Sequence, residues 1–483
     1  MNGQKHSRED GLSRIMGVYL RAAGTFAEAV MIPVPVSGER RNVFGRSIGS
    51  VHGRSLARIL GSGLSGLRSS ALIEEQDLED NLGTLKQFAR LHVPLTLVVT
   101  GDSFRFLPHL EMSGSMVFRA STFQELSDRI LAAQVISEKA LAPVVILCGE
   151  FQMGENIDLP SADKLREWFG DPDRRVPEPT PGQEMVLGKE RKRMPSWVHL
   201  DMPVSIGAGR NKKFRDLERA SNLEFGKVHW QSIIDQTHEE IHKFTGRTLN
   251  AYRQIGERKI RNLIIATSFN ASEVDHLFEK DLIRKHSIGF IDVHQLFPVI
   301  LPEVNWKRLD GLMIAEPAID GPEQGWLFNK ILPKVNPTPP KVLNGIYSGI
   351  TLSGNWANCV EAIVFKETSQ QFWIDTRMYV QKCGFPKAAV MFQRLLAGYA
   401  QIEDRSLLDP QDPEVSVLAI ASPGPLVRRF SNKEAPYSRL DLFYNSTSLP
   451  LKEIPSLVVA DPFRAYPVDP PLSALLRTER PER

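Results

Sequence analysis

Residues 49–70, GSVHGRSLARILGSGLSGLRSS, decide how the first part of the chain is read. Gly61, Gly63 and Gly66 stand as G-x-G-x-x-G, the glycine spacing of a dinucleotide-binding loop. Such a loop needs a buried strand before it, a helix opening just after it, and an acidic residue about 20 positions on to hold a ribose. Glu79 and Asp80 meet the last condition. The first is not met. Gly45, Gly49 and Gly53 recur every fourth residue, with Arg46, Arg54 and Arg58 among them. Small residues four apart form a ridge on one helix face along which another backbone packs closely. The spacing predicts a helix before the glycines. Residues 61–66 then read as a turn in a packed α/β core, not as a pyrophosphate cradle.

The flanking segments support an α/β core. In 25–40, TFAEAVMIPVPVSGER, a short apolar run ends at Pro33 and Pro35. Residues 70–92 place apolar side chains at helical spacing among many charges. VPLTLVVTGD (93–102) and APVVILCGE (142–150) read as buried strands. Between them, residues 121–141 open on Ser121 and Thr122, with Glu125 near the third helical position, a capping-box pattern. Continuous apolar strands alternating with helices predict a parallel sheet covered on both faces.

Residues 156–225 differ in character. GDPDRRVPEPTPGQE (170–184) is rich in proline and charge and reads as a linker or surface excursion. A second α/β unit follows, with helices over 229–246 and 270–286 and strands over 261–268, 288–296 and 309–317. The tail repeats that order. Residues 415–426 resemble 261–272, 438–451 resemble 287–299, and 454–467 resemble 309–322, as in a degenerate internal repeat. The expected organisation is a parallel-sheet domain over 15–155, an excursion over 156–225, a second α/β domain over 226–365 and a C-terminal α/β extension over 366–483.

The chain has 483 residues, with 59 Lys and Arg against 57 Asp and Glu, so its net charge of +2 implies no strongly charged partner. One basic run, GKERKRMPSW (188–197), lacks interleaved aromatic residues and reads as a solvated loop. Cys148, Cys359 and Cys383 are far apart and no C-x-x-C occurs, which excludes a Cys-ligated iron–sulfur cluster or Cys-rich zinc site in this chain. Scattered thiols suit a reducing compartment. The first residues are polar with no signal-peptide core, and no apolar run approaches the roughly 18 residues of a membrane span. The expectation is a soluble cytoplasmic chain that binds neither nucleic acid nor membrane.

No G-x-x-x-x-G-K-[ST] loop is present. His238, Glu239 and His242 in THEEIH (237–242) do match H-E-x-x-H, a zinc-protease spacing with Glu239 placed as the base. A zinc hydrolase would need a third ligand, and His276, Glu279 and His286 lie downstream. The helix buries Trp230, Ile233, Ile234, Ile241 and Phe244, and Lys243 flanks His242. The motif therefore reads first as a charged, solvated helix face.

The order of these blocks resembles the α subunit of the 2-oxoacid:ferredoxin oxidoreductases, the pyruvate and 2-oxoacid family. GSVHG (49–53) is similar to the family's GAVHG. FTGRTLNAYRQIG (244–256) and the strand after it are similar to its second domain, with Phe297, Pro298 and Val299 at an Arg-Pro-Phe-like corner. PPKVLNGIYSGITL (339–352) is similar to the segment that closes that domain. The likeness covers roughly residues 15–150 and 225–365. It implies a pyrimidine-type thiamine-enzyme domain followed by a transketolase-C-terminal-like α/β domain, with residues 61–70 as strand and loop near a thiamine pocket. It also implies an assembly that oxidatively decarboxylates a 2-oxoacid with coenzyme A. This chain lacks the Gly-Asp-Gly pattern that binds magnesium and diphosphate. Thiamine diphosphate, magnesium and iron–sulfur clusters are then expected on partners, a thiamine-binding β-like subunit and an iron–sulfur, ferredoxin-like subunit.

The departures from the family concern its chemistry. The family's glutamate, eight residues before the histidine of VHG, hydrogen-bonds the cofactor's aminopyrimidine and promotes ylid formation. Here that position is Phe44. The family's YPITPS, with a threonine near the substrate, is IPVPVS (32–37). No counterpart of a substrate-holding arginine stands around residues 95–102. The resemblance thus implies a hetero-oligomeric component with no catalytic, cofactor-binding or metal-binding residue of its own. The alternative is an inactive scaffold or regulatory paralogue that has left the reaction.

Overall fold

The structure is a computed structural model. It describes residues 2–35, 38–101, 103–149, 157–177, 180–181, 184, 189–198, 226–256, 260–267, 287–319, 325–347, 359–360, 363 and 371–374. The chain divides into a compact unit over Met1–Phe372 and a second over Trp373–Arg483. The C-terminal repeat, the 270–286 helix and Cys383 lie outside the described residues.

The first sheet is built from β1 (Ala29–Ile32), β2 (Gly49–His52), β3 (Ser69–Glu74), β4 (Leu95–Thr100), β5 (Met116–Ala120) and β6 (Pro143–Cys148). Its order is β2-β1-β3-β4-β6-β5, parallel throughout. Alternation sorts the side chains to two faces. Val30, Ile32, Leu72, Val98, Val144 and Ile146 meet α1 (Asn2–Ala23), α5 (Phe123–Ala140) and a later helix, α7 (Trp230–Thr245). Met31, Ile73, Leu97, Val99, Val145 and Leu147 meet α2 (Ala57–Leu64), α3 (Glu75–Arg90) and α4 (Leu107–Ser113). Both faces of the central strands are covered, which is why β1 and β6 are apolar throughout and β3, β4 and β5 largely so. The start of α5 has the expected cap: Thr122 Oγ1 accepts from the Glu125 amide, and Glu125 accepts from the Ser121 amide.

The second sheet contains β9 (Tyr252–Gly256), β10 (Asn262–Ala266), β11 (Ile288–Val293), β13 (Gly311–Pro317), β14 (Lys341–Tyr347) and β15 (Gln371–Trp373), in the order β15-β14-β13-β10-β11-β9. β9 runs antiparallel to β11; β11, β10, β13 and β14 are parallel. Leu263, Ile265, Ile291, Val293, Leu312 and Ile314 join the same apolar cluster as the α2–α4 face of the first sheet. The run 288–296 is two strands rather than one. After β11 the chain crosses over, and β12 (Gln295–Phe297) adds antiparallel to β5 at the edge of the first sheet.

Of residues 45–60, only 57–60 form the expected helix, as the start of α2. Gly49–His52 is the edge strand β2, in parallel register with Ala29–Ile32. Gly45 and Gly53 flank it at φ +77° and +146°, turning the chain into and out of the strand. Gly61 and Gly63 are helical, inside α2 rather than in a strand and loop. A Cβ on Gly63 would lie 2.5 Å from Val93 Cγ1, so close packing explains that glycine. Gly66, at φ +85°, turns the chain after the helix. The glycines thus end a helix and cannot precede one, which removes the dinucleotide loop. Residues 69–74 also depart from the expected helix, because Ala71, Leu72 and Ile73 are three successive apolar residues buried on both faces of a strand.

Part of the proline-rich excursion is folded. α6 (Ala162–Phe169) buries Leu165 and Phe169 in the α1–α5 cluster. β7 (Arg175–Pro177) and β8 (Glu190–Lys192) form an antiparallel pair. Within the basic run Lys189, Glu190 and Lys192 are exposed, but Arg191 is buried.

Candidate functional site

In open parallel sheets the ligand crevice lies at the carboxyl ends of the strands, where the strand order reverses. From β1 the chain goes first to β2 on one side, then to β3 on the other, so the reversal falls between β1 and β3. β1 ends at Ile32 and continues through Pro33 and Val34, so its end is apolar where the resemblance places a hydroxyl. β3 ends at Glu74, and Glu75 opens α3. Glu75 pairs with Arg105 at 2.8 Å, and that guanidinium stands 4.7 Å from the centre of the Phe106 ring. The segment 95–102 holds no arginine, yet Arg105 reaches this edge from three residues beyond it.

Phe44 is half-buried against the α1–α5 core. The Arg68 guanidinium lies 5.2 Å from its ring centre and 5.7 Å from that of Phe169. Arg68 is fully buried. Its Nε donates to Glu138 Oε1 at 2.7 Å, and its Nη2 donates to the Phe169 and Gly170 carbonyls at 2.9 Å each. Gln134 donates to Glu138 Oε1 at 2.8 Å, and Arg191 donates to the Glu138 carbonyl at 2.6 Å. These carbonyls close the last turns of α5 and α6, where the helix dipole favours cations. Helix ends and one carboxylate therefore account for the arginines gathered here. Where the resemblance places a glutamate, this chain has a phenyl ring stacked on a guanidinium. It offers an aminopyrimidine no acceptor, and the residues present do not fit that cofactor contact.

The HEEIH helix forms as α7, but its three residues diverge. His238 turns inward, half-buried, with its ring 6.1 Å from that of Phe118. Burial and the nearby Arg129 push its pKa down to about 3. Glu239 is exposed and accepts from Lys243 Nζ at 2.6 Å. His242 is exposed and lies 3.1 Å from Thr248 Oγ1. The solvated-face reading holds for Glu239 and His242 and is corrected for His238. His276, Glu279 and His286 lie outside the described residues. Among the described residues, no three His, Cys, Asp or Glu side chains are grouped to hold a metal ion.

The sequence reading missed a buried charge cluster between the first sheet and the strands after residue 287. Arg119 on β5 donates to Asp292 Oδ2 on β11 at 2.6 Å. His294, on the crossover between β11 and β12, has Nε2 3.0 Å from Asp292 Oδ2 and Nδ1 2.9 Å from Glu125 Oε1. Arg129 donates to the same Glu125 oxygen at 2.8 Å and to the Asn250 carbonyl at 3.0 Å. Burial alone would raise the Glu125 pKa, but Arg129, His294 and the Ser121 amide hold it well below the usual carboxylate range. The available signal was charge inside apolar runs: Arg119 in MVFRA, and Asp292 and His294 in IGFIDVHQL.

A second buried carboxylate, Glu316 on β13, accepts from the amides of Leu327 and Phe328 and from Asn344 Nδ2, at 2.6, 3.2 and 2.6 Å. It thereby fixes the start of α8 (Trp326–Ile331). Burial outweighs these donors and pushes Glu316 up to about 7. Its folded pKa lies above its unfolded value, so the folded chain holds the extra proton. Stability from this group is present below about pH 4.5 and lost as pH rises through 7, on the order of 3 kcal/mol in all. Glu316→Gln abolishes that component. The difference in urea-unfolding free energy, variant minus wild type, rises between pH 5 and pH 8; a flat difference refutes the assignment.

No protein-family model and no curated protein matches the chain. Solved structures do. A 2-oxoglutarate:ferredoxin oxidoreductase from Magnetococcus marinus, with 2-oxoglutarate, coenzyme A and succinyl-CoA bound, is 12% identical, with a TM-score of 0.46 over 72% of this chain and 64% of that one. A split-gene transketolase, an inactive beta4 tetramer, is 9% identical with a TM-score of 0.38, covering 71% of this chain and 89% of that one. Transketolase from Campylobacter jejuni is 9% identical with a TM-score of 0.31, covering 63% and 35%. This chain is a parallel-sheet α/β protein. The match spans 64% of the length of the oxidoreductase. No described helix is long and apolar enough to cross a membrane.

Proposed function

We propose that this chain is a catalytically silent, α-like component of a 2-oxoacid oxidoreductase assembly. Its order of sequence blocks, with GSVHG (49–53) on the edge strand of a parallel sheet, supports the family relation. The observation that carries the silence is Phe44, stacked on the buried Arg68 where the family has its glutamate. A phenyl ring neither accepts nor returns the proton that thiamine activation needs. Thiamine diphosphate, magnesium and iron–sulfur clusters then belong to a β-like and a ferredoxin-like partner. What this chain's residues contribute is a rigid two-sheet body and the surfaces by which partners dock on it.

The test is calorimetric titration of the full chain with thiamine diphosphate and magnesium, alongside a decarboxylation assay with 2-oxoglutarate and pyruvate. The expected result is no saturable binding and no turnover by the isolated chain. Phe44→Glu alone leaves turnover absent, because the β1 end remains Pro33 and Val34. Turnover by the isolated wild-type chain would overturn the silent reading.

A further inference from the structure

We propose that His294 is a proton-gated latch that clamps the crossover from the second sheet to the first, closed while both ring nitrogens donate to carboxylates. The argument is one of donors and acceptors. Nδ1 faces Glu125 Oε1 and Nε2 faces Asp292 Oδ2, at 2.9 and 3.0 Å. A neutral imidazole has one N–H and one lone pair, so it can satisfy only one of these oxygens. Neither oxygen is placed to carry the second proton itself. Glu125 Oε1 already accepts from Arg129, and Asp292 Oδ2 already accepts from Arg119. Both contacts close only with the imidazolium.

The charged groups around the ring come from every element packed there. β5 supplies Arg119, α5 supplies Glu125 and Arg129, and β11 supplies Asp292. Asp128, also on α5, is held by Arg247 from the segment after α7. His238 on α7 lies in the field of Arg129 and stays neutral. With His294 charged, the five groups Arg119, Arg129, His294, Asp292 and Glu125 carry one net positive charge, shared across two carboxylates. Burial lowers the His294 pKa, but Asp292 and Glu125 more than offset it and hold it above the ordinary value.

The sign of the pH dependence follows. A histidine whose folded pKa is raised contributes stability that is complete below its unfolded value, about 6.5, and lost as pH rises through the folded value. Above that point one ring nitrogen opposes a carboxylate, lone pair to lone pair, inside a buried seam. The seam is the short strand β12 and its pairing to β5, where Arg119 N also donates to the His294 carbonyl at 2.8 Å. Deprotonation releases this joint while the apolar cores on either side remain.

The experiment is NMR of the full chain with histidine side chains isotopically labelled, titrated from pH 5.5 to 10, with His294 assigned by loss of its signal in His294→Gln. The expected result is a His294 midpoint above the ordinary imidazole value of about 6.5. Protection factors of the Gln295 and Phe297 amides, corrected for intrinsic exchange, should fall at least tenfold across the same midpoint. Glu125→Gln, which keeps the ring and removes one carboxylate, lowers the midpoint and assigns the signal independently should His294→Gln not fold. A His294 midpoint at or below about 6.5, or protection unchanged across it, overturns the latch.

Discussion

Arg68→Met lowers the stability of the folded chain by about 3–5 kcal/mol, the cost of stranding one partner of a buried ion pair. Methionine fills much of the same volume between Phe44 and Phe169 but donates no hydrogen bond. Glu138 keeps the Gln134 amide at 2.8 Å and a distant Arg193 at 3.9 Å. The Phe169 and Gly170 carbonyls, at the end of α6, lose their shared donor. Urea unfolding of the full chain reads the loss. The double variant Arg68→Met, Glu138→Gln recovers a large part of it, because no charge is then left unpaired. A loss below about 1 kcal/mol would mean that the arginine is not the buried pin described here.

Arg119→Met costs about 3 kcal/mol by the same mechanism, and its effect concentrates at the seam. Asp292 is then left with His294 alone on Oδ2, while its Oδ1 already has no partner. A double-mutant cycle with Asp292→Asn isolates the pair, which should show a coupling of at least 1.5 kcal/mol. Hydrogen exchange separates this from a uniform loss of stability: the amides of β5 and β12 lose protection before those of β4 and β6. Equal loss everywhere would remove the seam from the account.

The legible parts of the fold were those where one physical signal acted alone. LTLVVT and PVVILC are strands because six successive, mainly apolar residues are buried on both faces of a covered sheet. α5 was legible from its cap and its apolar spacing. The misread stretch 45–56 shows how two signals conflict. Glycines four apart look like a helix ridge, but Gly45 and Gly53 are needed for left-handed φ, and only backbone geometry distinguishes the two uses. Ser69–Glu74 was lost because Leu78, Leu85 and Phe88 in α3 extend an apolar pattern back across the strand boundary.

Phe44, Pro33 and Val34 were legible in the sequence as departures from the pattern the chain resembles. The buried ion pairs were not. Arg68 meets Glu138 across 70 positions, and Arg119 meets Asp292 across 173. No local pattern joins residues so far apart. HEEIH was legible as a solvated face at Glu239 and His242 but not at His238. Spacing of four puts both histidines near one helix face, but α7 turns His238 towards Phe118 while His242 faces solvent.

The most direct test of the central claim is purification of the chain from its source under native conditions. Co-eluting chains are identified by mass spectrometry, and the complex is assayed for thiamine diphosphate and iron. The account predicts a β-like chain carrying thiamine diphosphate and a second partner carrying iron, each stoichiometric with this one. A chain that elutes alone, or with partners that hold neither thiamine nor iron, would contradict it.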